Sequence, residues 1–77
     1  MQNVKKQITY ITACIYEFAK FTNLTLQESF NYLYKYQAIE FLKEHYEAEH
    51  LLSFDEVIED LIRVCKNNGG EYDFVSR

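Results

Sequence analysis

LLSFDEVIEDLIRVCKNNGG, residues 51–70, holds a start signal, an apolar stripe and a stop signal for one helix. Ser53 is positioned to cap the first turn, and Glu56 three residues later completes a capping box. Asp55 and Glu56 sit where unpaired amides and the helix field favour negative charge. Phe54, Val57, Ile58, Leu61, Ile62 and Cys65 recur at the spacing of a single buried face. Arg63 and Lys66 lie near the end that favours cations, and Asn67 to Gly70 offer residues able to adopt the left-handed conformation that stops a helix. Local propensity and burial pattern agree here, so the rest of the chain is expected to pack around this helix.

The segment before this helix is less well marked. A third helix is predicted over about Gln37 to Glu47, or to Glu49, with Ala38, Phe41, Leu42 and His45 or Tyr46 inward. Glu40 and Glu44 repel at that spacing, and Lys43 to Glu47 is the weaker orientation of an ion pair. Burial of Phe41 and Leu42 must therefore hold this helix. Thr25 and Glu28 form a second capping box that opens a second helix, with Leu26, Phe30 and Leu33 as its expected buried stripe. It should weaken near Tyr34 to Tyr36. No Gly or Pro marks that break, and one long kinked helix is the competing reading. The first helix is predicted over Val4 to Ala19, with Val4, Ile8, Ile11, Ile15 and Phe18 on one stripe, widened by Cys14 and Ala19.

The expected fold is all-α, a compact bundle of four short helices in one domain over residues 1–70, followed by a tail over residues 71–77. The first and last helices should form the longest packed pair, with the other two closing the core. Tyr72 and Phe74 are the residues that would pin the tail. A chain of 77 residues buries only roughly 60% of its extended surface. Seven Tyr and six Phe exceed what so small a core needs, so some Tyr should lie at the core edge or in an interface.

Charge is unevenly placed within the formal net of −4. In residues 1–36, Lys5, Lys6, Lys20 and Lys35 stand against Glu17 and Glu28, a net +2. In residues 37–62, Glu40, Glu44, Glu47, Glu49, Asp55, Glu56, Glu59 and Asp60 stand against Lys43 alone, a net −7. Such a field repels phosphates and attracts a basic partner. A helix-turn-helix reading would put this acidic third helix on DNA, against the attraction that supplies much of the binding energy, so nucleic-acid binding is not expected.

No catalytic, cofactor or metal signature is complete. His45 and Glu49 lie four apart, but a helical zinc motif needs a second His at that offset and further ligands. Gly69-Gly70 follows a helix, whereas a phosphate cradle precedes one. Cys14 and Cys65 fall on apolar faces and are expected buried and reduced. The N-terminus lacks the pattern of a signal peptide and no segment has the apolar length of a bilayer span, so a cytoplasmic location with no membrane contact is expected. An enzyme would need a cleft that a small bundle has little volume to enclose.

The run from Ser29 to Gly70 resembles a family of small bacterial proteins known as a domain of unknown function. The residues that carry the resemblance are Phe30-x-Tyr32-Leu33, Phe41-Leu42-x-x-x-Tyr46, His50 and the terminal Asn68-Gly69-Gly70. These motifs specify packing and no chemistry. The family is similar to genes found beside predicted ADP-ribosyltransferase-like toxins, which implies, by association, an antitoxin-like or accessory binding role. The partner would then be a protein, with Tyr32, Tyr36 and Tyr46 as anchors and Glu40, Glu44, Glu47 and Asp60 steering the encounter. The alternative is a homo-oligomeric structural module that buries its surplus aromatic surface against a copy of itself.

Overall fold

The computed structural model describes residues 4–70. Five helices follow one another: α1 (Val4–Thr22), α2 (Leu26–Lys35), α3 (Ala38–Glu44), α4 (Tyr46–Glu49) and α5 (Phe54–Asn67). No strand occurs among the described residues, so the fold is all-α. Four helices were expected, and the expected third is divided into α3 and the single turn α4. The tail over residues 71–77, including Tyr72 and Phe74, lies outside the described residues.

Both capping boxes form. The Thr25 hydroxyl accepts from the Glu28 N–H at 3.0 Å, and the Thr25 N–H donates to Glu28 Oε1 at 2.9 Å. Ser53 and Glu56 repeat the arrangement at 3.2 and 3.1 Å. Each box satisfies two amides that the helix leaves unpaired at its start.

The helix ends are set by left-handed residues. Asn23 (φ 62°) ends α1, and the Leu24 N–H returns to the Ala19 carbonyl at 3.1 Å. Gln37 (φ 71°) separates α2 from α3, which decides against one long kinked helix. A non-glycine residue there is uncommon, so Gln37→Gly should leave thermal stability unchanged or raise it by up to about 1 kcal/mol. A thermal melt of the variant checks this, and a fall in Tm would show that the Gln37 side chain contributes more than its backbone costs.

The core consists of Cys14 and Phe18 from α1, Leu33 from α2, Ala38 and Leu42 from α3, and Val57, Ile58, Leu61 and Cys65 from α5. The stripe of α5 is the predicted one, except that Phe54 is exposed and Ile62 only half-buried. Two other buried faces are only partly the expected ones. On α1 the buried face is Cys14, Phe18, Ala19 and Thr22, whereas Val4 and Ile8 are exposed. At about 1.5 Å per residue, α1 outruns the ten-residue α2, which is too short to cover those first turns. On α2 the buried residues are Ser29 and Leu33, and Leu26 and Phe30 face outward. Leu33 belongs to both possible stripes. The small Ser29 is completely buried, so this face can approach its neighbours more closely than one bearing Phe30.

Two further expectations are corrected. The most extensive pairing is α1 with α2, and α1 with α5 is smaller. A three-residue connection, Asn23 to Thr25, holds the first two helices side by side. The predicted third helix is interrupted at His45 (φ −112°, ψ 23°), whose own side chain is exposed. Neither α3 nor α4 has a side-chain cap at its start, which leaves this stretch free to bend where packing requires.

Candidate functional site

An apolar groove of about 520 Å³ opens between α1 and α2. Thr9, Thr12, Ala13, Ile15 and Tyr16 line it from α1, and Leu26, Gln27 and Phe30 from α2. None of these side chains is charged. Tyr16 is 52% exposed, Leu26 53% and Tyr34 63%, so large apolar surface faces solvent on a chain with little core to spare. The Phe30 and Tyr34 rings stack at 5.7 Å and extend the α2 wall. Sequence reading placed Leu26 and Phe30 inside. The available signal was that Leu26 and Phe30 also recur with Tyr34 at steps of four, on the side of α2 away from Ser29.

The seven residues proposed from sequence differ in exposure. Tyr32 and Tyr36 are half-buried, with ring centroids 4.9 Å apart, and Tyr32 stacks on Phe18 at 6.3 Å. Tyr46 is buried, stacked on His50 at 4.6 Å and set edge-on to Tyr10 at 5.5 Å. These three rings pack against the body of the domain. Glu40, Glu44 and Glu47 are exposed on α3 and α4, and Lys43 bridges to Glu40 at 3.2 Å. Asp60 lies on α5, ion-paired with Arg63.

The junction of α1, α4 and α5 holds a buried acid that sequence reading left on the surface. Glu49 is 7% exposed, and its Oε1 has no hydrogen-bond partner. Its carboxyl lies near that of Asp60. Burial first, then the neighbouring Asp60 carboxyl, push Glu49 up to about 7, with Arg63 pulling the other way. The clue was there: Leu42, Tyr46 and Glu49 stand at i, i+4 and i+7. Nearby, burial pushes the Cys14 thiol up to about 11, with the neighbouring Tyr10 hydroxyl pulling the other way, and burial alone pushes Cys65 up to about 12. Burial and the Cys14 thiol raise Tyr10 well above its ordinary value. Both thiols are therefore protonated near neutrality and are poor nucleophiles. Among the described residues no three His, Cys, Asp or Glu side chains are grouped to hold a metal ion. No described helix is long and apolar enough to cross a membrane.

A family described as a protein of unknown function, DUF3791, covers residues 9–68. The chain belongs to that family. The DUF3791 match spans the helices from α1 to α5, so it includes both walls of the groove and the buried acid. No curated protein and no solved structure matches the chain.

Proposed function

We propose that this DUF3791 chain is a protein-binding module with an accessory or antitoxin-like role, covering a working surface of a partner enzyme. The observation that carries the binding reading is the uncharged groove between α1 and α2, with Tyr16, Leu26, Phe30 and Tyr34 exposed along it. Clustered apolar surface of this kind marks interaction sites, and aromatic anchors set in a groove supply most of an interface's energy. The antitoxin-like part rests on the resemblance to proteins encoded beside predicted ADP-ribosyltransferase-like toxins. The acidic residues 37–62 would act at longer range, orienting a partner with basic surface before contact. On this reading the chain performs no catalysis of its own and needs no cofactor.

The test is co-expression with an ADP-ribosyltransferase-like toxin of the kind predicted beside the resembling proteins, followed by titration of the purified pair. A complex of fixed stoichiometry that relieves growth inhibition is the expected result. Leu26→Ser with Phe30→Ser should weaken that complex by about a hundredfold, the loss of two hot-spot contacts. Both side chains are substantially exposed, so the melting temperature should hold. Unchanged affinity in the folded double variant would remove the groove from the interface. Sedimentation showing self-association and no hetero-complex would favour the oligomeric module.

A further inference from the structure

We propose that the α1–α2 groove receives an amphipathic partner helix that is apolar along one face and carries carboxylates at both ends. This rests on the protein-binding reading above and names the chemistry of the occupant. Lys5, Thr9, Thr12, Tyr16 and Lys20 follow one another on α1 at steps of 4, 3, 4 and 4, so they share a face. The middle three line the groove, and the outer two put a cation at each end of it. Lys5 and Lys6 line an adjoining hollow that shares Thr9 with the groove. At the other end the Lys20 ammonium lies 5.3 Å from the centre of the Tyr16 ring. Glu17 lies 3.6 Å from Lys20, but both are partly in solvent and an ammonium has donors for more than one carboxylate.

The spacing sets the length of the occupant. Lys5 to Lys20 is about 22 Å along the helix, or roughly four turns of a second helix laid beside it. An uncharged apolar floor bracketed by cations suits a helix seated by its apolar face, with acidic residues at its ends. A helix with lysines at both ends meets like charge there. A second copy of this chain presenting the same face is disfavoured for the same reason, since the lysine-bearing ends of α1 would be brought against each other.

The test titrates the full chain with two fluorescent peptides of about 18 residues, both with leucine along one helical face. One has Glu at both ends and the other Lys. The Glu-ended peptide should bind at least about tenfold tighter, should weaken as salt is raised, and should shift the amide resonances of Thr9, Ala13, Tyr16, Leu26 and Phe30. Lys5→Glu, Lys6→Glu and Lys20→Glu combined should reverse the preference, and these exposed changes leave the core intact. Equal affinity for the two peptides, no binding of either, or shifts confined to α3–α5 would overturn the proposal. A native complex that forms and survives the triple lysine variant would overturn it as well, while leaving the protein-binding reading in place. Failure of any native complex to form counts against that broader reading instead.

Discussion

Glu49→Gln should be more stable than the parent chain above about pH 7, by about 1–3 kcal/mol, and should lose most of the parent's decline in stability between about pH 4.5 and 7. The direction follows from where the acid sits. In the unfolded chain Glu49 ionises at its ordinary 4.5, and in the fold the same carboxyl is raised to about 7. The folded state therefore binds the proton more tightly. Its contribution is fully present below the unfolded value, falls as pH rises through that window, and is gone above the folded value. The causes are specific. The carboxyl is buried at the end of α4, one oxygen has no partner, and Asp60 brings a second negative charge. Gln has nearly the same shape, carries no charge and can donate to Asp60 from its amide. Chemical denaturation of parent and variant at a series of pH values checks this. Parallel curves for the two would show that Glu49 is already solvated and that the carboxyl pair does not exist.

Gly70→Ala should cost about 1–3 kcal/mol, the range for forcing an added methyl group into a packed site. A Cβ at Gly70 would stand 2.6 Å from the Tyr32 hydroxyl and 2.9 Å from the Cys65 carbonyl oxygen. The carbonyl belongs to the last turn of α5 and accepts the Gly70 N–H at 2.7 Å, so it cannot retreat without breaking the bond that closes the helix. Together with the Gly69 N–H to the Lys66 carbonyl, this closure is a Schellman motif. The two adjacent glycines answer different needs. Gly69 supplies the positive φ of 100°, and Gly70 supplies room beneath Tyr32. Thermal melts of Gly70→Ala beside Gly70→Ala with Tyr32→Phe separate the two contacts. Recovery in the double variant assigns the cost to the hydroxyl, and no recovery assigns it to the carbonyl. A Gly70→Ala chain as stable as the parent would refute the close approach.

The sequence by itself determined the all-α class, the starts of α2 and α5, and the buried face of α5. These depend on contacts within three or four residues: the Thr25–Glu28 and Ser53–Glu56 boxes, and a stripe that agrees with its caps. The breaks at Gln37 and His45 carry no Gly or Pro, because the left-handed turn and the bend are held by packing on either side. Tertiary structure also decided which of two stripes on α2 turns inward. Leu33 serves both, and the choice falls to the face where Ser29 lets helices meet closely, leaving Leu26 and Phe30 as a groove wall. It decided that Glu49 is enclosed, because burial of a polar residue depends on neighbours from α1 and α5 that lie far away in the chain. The aromatic surplus was legible in composition, but its division was not. Tyr32 and Tyr46 pack inward and Tyr16 and Tyr34 outward, since a count of rings contains no information about the azimuth at which each helix docks.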